Sequence, residues 1–549
     1  MLKSNVGNEA ERDRPARADL RALAGLLAFA ALVRAFAWSR TEVLFNDGPI
    51  FLALADALRA GRFADVLAHP QHPLYPALIA ALELLSLPAE FAAVGVSIAG
   101  GLLAIAAIFW MAWARFGREV AWISAWVVAL HPSAVDFSSD VMSDGLYAGL
   151  HLAGFALLVD LLERPGLCRA MAFGLSVGLA YWTRPEGLAL AGVAGVCGVG
   201  RAWMARADRG RLLRSAAVWL AAGALLVVSL RLVEARPGED LSWSQKKSIE
   251  QLARGGPSAE ELALDRQARR ATRADPRSLP LPESSIRADG SAVDRPQRSL
   301  GGLFEALGRV LRTSFSAVRY ELLVFVGLSL LAVGSRRLRS RHTFVSVLSV
   351  SLILHTGLLV LLVWGAGYVS RRHALAAWLP LSVIAAVGWT EVMGKLRGLV
   401  EARGRSRAAS AGAASGWTGR LSMGVLVAFL ILSWGPRDLR ARRADRALER
   451  VSAEWLKQSQ QSVGPVAAQK MRTAYYAGAR FVPLPDGADR QLERQIRGRG
   501  ARWVIIDAAK LADHRGLAEG IGDWLDPVHV ERAVGQEILV LEVIAPTAP

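Results

Sequence analysis

Two cysteines in 549 residues, Cys168 and Cys197, cannot build a disulfide framework, and both fall in or beside apolar segments. No CxxC or HExxH spacing occurs, so no structural metal site is legible. Nothing after the first apolar run resembles the small-residue cleavage site of a signal peptide, and that run reads as a retained helix. No RNA- or DNA-binding motif is present. The net charge of +17 would suggest nucleic acid in a soluble protein, but the arginines cluster between apolar segments. The positive-inside rule already accounts for that distribution, so no nucleic-acid partner is expected.

What is abundant is apolar residue, 53% of the chain. Runs of about 20 apolar residues recur, the length a helix needs to cross a bilayer. They lie at 20–38, 92–114, 145–161, 213–233, 344–364 and 374–392, with shorter runs at 120–130, 171–182, 188–199, 322–333 and 423–434. The segment 74–87 is short and carries Glu83. The pattern predicts an all-α polytopic membrane protein of about 11–13 transmembrane helices. Basic clusters at 115–118, 163–169, 201–214, 335–341 and 395–407 assign those loops, and the tail 1–18, to the cytoplasm. A consistent alternation follows if 74–87 does not cross fully. The loops 39–76 and 234–316 then lie outside, with 19–435 as the membrane domain. After Trp434 the texture changes to strand-like runs at 464–468, 502–507 and 537–544 with helical patterns between them. Residues 436–549 therefore read as a small extracytoplasmic α/β domain, although the link 437–446 is rich in arginine, against that placement. Within 234–316, the stretch beginning at Trp243 could be an ordered patch in an otherwise solvated loop.

The chain is organised around Phe45–Pro76. Asp47, between Asn46 and Gly48, emerges at a membrane boundary, where a carboxylate often marks function. Cap chemistry at a helix start is the alternative. Phe51, Leu54, Ala55, Leu58 and Phe63 follow at helical spacing, an amphipathic helix suited to the bilayer surface. His69 and His72, separated by Pro70, make a rigid polar corner for a substrate or headgroup, followed by Tyr75. Asp136, Asp140 and Asp144 fall at spacing four. On one helix they would share a face and need a cation, a ligand or a raised pKa. Arg184 and Glu186 interrupt two apolar runs, and Arg371, Arg372 and His373 form a second cluster. An ion pair and snorkelling are the plain readings. An arginine fork also suits phosphate oxygens, and the positive-inside rule does not predict these two sites.

In this order, Asp47, the stretch 55–63, His72-Pro-Leu-Tyr-Pro76, Ser143-Asp-Gly-Leu-Tyr147, Trp182-Thr-Arg-Pro-Glu-Gly187 and Arg371–Pro380 together resemble the GT-C glycosyltransferases, in particular the protein mannosyltransferase and lipid A aminoarabinose transferase group. The resemblance covers about residues 20–435. That group usually shows two acidic residues, or an acidic residue then an aromatic, in the first loop. Here Asp47 is followed by Gly48-Pro49-Ile50 and stands as the lone candidate base.

The resemblance implies an inverting transfer from a polyprenyl-phosphate sugar to a lipid, glycan or protein acceptor at the outer face of the plasma (inner) membrane. Asp47 would act as general base. His69, His72, Tyr75, Asp140, Asp144, Arg184, Glu186, Arg371, Arg372 and His373 would contact substrate, and Arg184 or Arg372 would stabilise the departing phosphate. No cofactor is required by the pattern; a divalent cation remains open. A transporter or flippase of lipid-linked sugars would favour paired internal repeats with broken helices, which the sequence does not show. A scaffold presenting the C-terminal domain would leave Asp47 and the entrance helix without a role.

Overall fold

The computed structural model describes residues 15–69, 71–204, 209–234, 300–332, 338, 340–404, 414–484, 492–533 and 535–544. Residues 1–14 of the N-terminal tail and 235–299 of the long loop, with the patch at Trp243, lie outside the described residues.

Helices fill each apolar run. Six are long and apolar enough to cross a membrane: Arg17–Ser39, Ala89–Phe116, Asp144–Glu163, Pro185–Met204, Gly210–Val228 and His342–Trp364. Two bent pairs raise the number to eight among the described residues. Leu300–Val318 meets Tyr320–Leu330 at 94°, through Arg319 in a left-handed conformation. Arg371–Trp378 meets Leu381–Leu396 at 56°, where Pro380 interrupts what reads in sequence as one span. Of the other helices counted from sequence, Arg118–Leu130 with 13 residues and Leu167–Thr183 with 17 fall short on length. Leu74–Glu83 has ten, fewer than a span needs.

The tightest helix pairing runs through glycine. A Cβ on Gly149 would meet the Gly100 carbonyl at 2.3 Å, and one on Gly100 would meet the Leu146 Cα at 2.4 Å. Between membrane helices, where lipid is as apolar as side chains, such close backbone approach is a main source of association. It locks Asp144–Glu163 against Ala89–Phe116 and so fixes where Asp144 stands.

The entrance segment forms two helices, Gly48–Arg59 and Phe63–Ala68, divided at Gly61, whose φ is +73°. The first does not lie open on a bilayer surface: Ile50, Phe51, Leu54 and Ala57 are all buried. What covers part of it is the C-terminal segment. There, β1 (Val466–Ala468), β2 (Phe481–Pro483), β3 (Trp503–Asp507), β4 (Leu525–Ala533) and β5 (Gln536–Val543) form one mixed sheet in the order β2-β1-β3-β5-β4. β1 is parallel to β2 and β3, and β5 is antiparallel to β3 and β4. Val504, Ile506 and Leu541 pack on Leu492, Ile496 and Leu517 over one face. Trp503, Ile505 and Val540 on the other face belong to a core shared with Val43, Leu44, Phe51 and Tyr75. The sheet and the entrance segment are therefore one packed unit.

Candidate active site

Asp47 precedes the helix Gly48–Arg59, but its side chain makes no capping hydrogen bond. Its Oδ2 instead accepts from Arg372 Nη1 at 2.8 Å. Both side chains are nearly enclosed, 12% and 14% exposed for Asp47 and Arg372. Arg372 is delivered by the helix Arg371–Trp378, whose start is held by a reciprocal cap between Ser370 and His373. The His373 carbonyl accepts from His355 Nε2 at 2.7 Å, so His373 acts as a fastener for the helix that carries Arg372. Arg371, its neighbour, is exposed and makes no hydrogen bond or ion pair among the described residues.

The second cluster centres on Arg184. It is extended (φ −156°) between a helix ending at Thr183 and a short turn at Pro185–Leu188, because a residue before proline is disfavoured in the helical region. Its Nη1 donates to Asp144 Oδ1 at 2.7 Å and its Nη2 to Glu186 Oε1 at 3.0 Å. The Tyr147 ring lies 5.8 Å from the guanidinium. Burial works against the charge on Arg184, yet Asp144 and Glu186 outweigh it and hold the guanidinium above its ordinary pKa. Asp144 also acts electrostatically on Arg372, which joins the two clusters.

The three aspartates at spacing four do not share a helix face. The helix Pro132–Phe137 ends before Asp140, and the next begins at Asp144. Each takes its own arginine: Asp136 pairs with Arg442 at 3.5 Å, Asp140 with Arg443, and Asp144 with Arg184. Guanidinium groups thus do the neutralising that a cation was expected to do. Burial pushes the Asp140 carboxyl up, and Arg443 and the Val141 amide pull it back. Among the described residues no three His, Cys, Asp or Glu side chains converge as a metal-holding group.

His69 Nδ1 accepts from the Gln71 amide at 3.1 Å, and His72 packs edge-on to Tyr181 at 5.1 Å. Tyr75, read as a substrate contact, is fully buried. Its hydroxyl bonds the Ala93 carbonyl at 2.9 Å and Ser97 Oγ at 2.8 Å, which makes it part of the core. Sequence reasoning missed three contributors. The Phe45 ring meets both the Arg372 and the Arg443 guanidiniums, at 5.2 and 5.9 Å from its centre. Arg443 itself comes from the arginine-rich link. Arg472 donates to Asn46 Oδ1 at 2.6 Å, next to Asp47, and also bonds Glu449. The signal was the conflict at 437–446: arginines out of place for the positive-inside rule have local carboxylates to meet.

No protein family's sequence profile matches the chain, and no curated protein matches it in sequence. Solved structures do match. ArnT from Cupriavidus metallidurans, bound to undecaprenyl phosphate, is 13% identical over 97% of this chain and 100% of its own, with a TM-score of 0.56. The alignment spans nearly the whole length of both chains. The chain has the GT-C fold. The archaeal oligosaccharyltransferase AglB from Archaeoglobus fulgidus, solved with an inhibitory peptide and a dolichol-phosphate, is similar at 13% identity. It covers 95% of this chain and 74% of AglB, with a TM-score of 0.56. At this identity the shared feature is the GT-C fold alone.

Proposed function

We propose that the chain is an integral membrane glycosyltransferase. It transfers a sugar from a polyprenyl-phosphate donor to an acceptor hydroxyl at the outer face of the membrane. The observation that carries this reading is the Asp47–Arg372 pair, 2.8 Å apart and nearly enclosed at the mouth of a GT-C fold. It supports the reading by bringing a carboxylate and a guanidinium fork together, the two groups that such a transfer calls for. The two GT-C neighbours were solved with undecaprenyl phosphate and a dolichol-phosphate, which supports the donor class.

In this reading the acceptor hydroxyl gives its proton to Asp47 as its oxygen attacks the anomeric carbon. The bond from that carbon to the phosphate oxygen breaks, and the electron pair leaves with the lipid phosphate. Attack opposite the leaving group inverts the centre. Arg372 is suited to meet the developing phosphate charge, and Arg184, whose charge Asp144 and Glu186 already meet, offers its fork only where phosphate displaces one of them. The inner cluster holds three carboxylates against two guanidiniums, so an arriving phosphate competes with Asp47 for Arg372. Exposed Arg371 is a second source of positive charge. His69 and His72 form a corner for the acceptor or headgroup.

The deciding measurement is transfer from radiolabelled polyprenyl-phosphate sugars in membranes, with wild type compared with an equally expressed Asp47→Asn. Transfer by wild type and a loss of roughly 100-fold or more in the variant is expected, the scale of a general base. Equal transfer by both removes Asp47 from the role and moves it to Asp144. Donor binding with no transfer by wild type would favour carriage of lipid-linked sugars over chemistry.

A further inference from the structure

Arg443 belongs to the link between the helix Ala414–Asp438 and the C-terminal sheet. Its backbone is left-handed (φ +54°), one of three non-glycine residues with positive φ among those described. That conformation is uncommon for a residue with a Cβ and persists where surrounding contacts over-determine it. Here they do. One residue earlier, the Arg442 amide donates to the Arg40 carbonyl at 2.9 Å and the Arg442 carbonyl accepts from the Glu42 amide at 3.1 Å. The link is thus stitched to the chain just beyond the first span.

From this anchored position the Arg443 side chain reaches two loops at once. Its Nε donates to the Val43 carbonyl at 2.7 Å, and the guanidinium lies over Phe45, two residues before Asp47. Its Nη2 pairs with Asp140, which is itself fixed by the Val141 amide at 2.7 Å and lies four residues before Asp144. Phe45 meets Arg372 on its other contact, so one ring carries both the Asp47 partner and the clamp.

We propose that Arg443 is a positioning residue of the transfer site: it sets the spacing between the loop that carries Asp47 and the loop that leads into Asp144. The C-terminal segment is on this account a component of the site. The proposal deepens the glycosyltransferase reading and rests on it for its kinetic consequence, while its geometric consequence can be read without turnover.

The experiment uses the full chain in detergent and in vesicles, as wild type, Arg443→Ala, Arg443→Lys and Tyr475→Phe. The last removes a different tether of the same C-terminal segment, the 2.9 Å bond to Glu90. Hydrogen exchange is followed in peptides covering 42–48 and 138–145. Transfer is followed from radiolabelled undecaprenyl-phosphate mannose and undecaprenyl-phosphate aminoarabinose. Arg443→Ala is expected to speed exchange in both peptides and to lower kcat by roughly 100-fold, the scale of a misplacement of about 1 Å. The donor KM stays within about threefold, because binding groups are untouched. Arg443→Lys recovers part of kcat by keeping the pair with Asp140, and Tyr475→Phe changes neither readout. Unchanged exchange in either loop overturns the proposal, and so do equal effects of Arg443→Ala and Tyr475→Phe, which would mean docking alone. Absence of transfer by wild type from both donors, with exchange responding only at Arg443, places the failure in the proposed function and leaves the clamp standing.

Discussion

A guanidinium held by two carboxylates is a different object from a guanidinium in water. Arg184 is 13% exposed and bonds Asp144 and Glu186 together, so removing it strands two charges at once. Arg184→Ala is expected to destabilise the fold by about 3 kcal/mol or more, the scale found when one partner of a buried pair is deleted. Arg184→Lys keeps the charge but cannot serve both carboxylates with one planar fork, and should fall between the two. Heat-challenged size-exclusion of the detergent-solubilised protein orders the three, and equal retention of all would refute a structural share for this cluster. Asp47, Arg184, Glu186 and Arg372 were all legible in the sequence because each is a charge set at the edge of an apolar run. Their partners were not. Local spacing suggested that Asp136, Asp140 and Asp144 would face one another, whereas the structure gives each an arginine, two of them from about 300 residues away.

At the scale of elements, apolar length revealed the helices but not their bends. The run 322–333 reads in sequence as a span, but the helix Leu300–Val318 before it, read as part of the loop 234–316, and the 94° turn at Arg319 between them were not legible. Nor could periodicity find β2, three residues long, or β4, whose pattern is mostly polar and exposed. What positions Asp144 is the glycine contact between Ala89–Phe116 and Asp144–Glu163, and it offers a sharp test. Gly149→Leu forces side-chain atoms into the Gly100 carbonyl, 2.3 Å from an added Cβ, and should cost about 1–3 kcal/mol with a parallel loss of transfer. Gly95→Ala, on the same helix as Gly100, meets nothing within 4 Å and should be neutral. If both variants behave alike in denaturation and turnover, close packing does not set the site.

For the whole molecule, the membrane class and a C-terminal α/β segment could be read from composition, since both leave their mark on every residue. The union of that segment with the entrance helices could not, because it depends on pairings between the two ends of the sequence. Leu44 donates its amide to the Tyr476 hydroxyl at 2.8 Å, across 432 residues. That separation has a meaning in time. A ribosome adding roughly 5–20 residues per second needs about 20–90 s to carry the chain from Leu44 to Tyr476. For that interval the nascent chain has Asp47 and its helix in place in the bilayer, but neither Arg372, for most of it, nor the surface that covers Phe51. Chains stalled near residue 440 should therefore leave the entrance helix open to a protease that the released, full-length protein resists. Assembly of the site would then wait on synthesis of the segment that carries Tyr476.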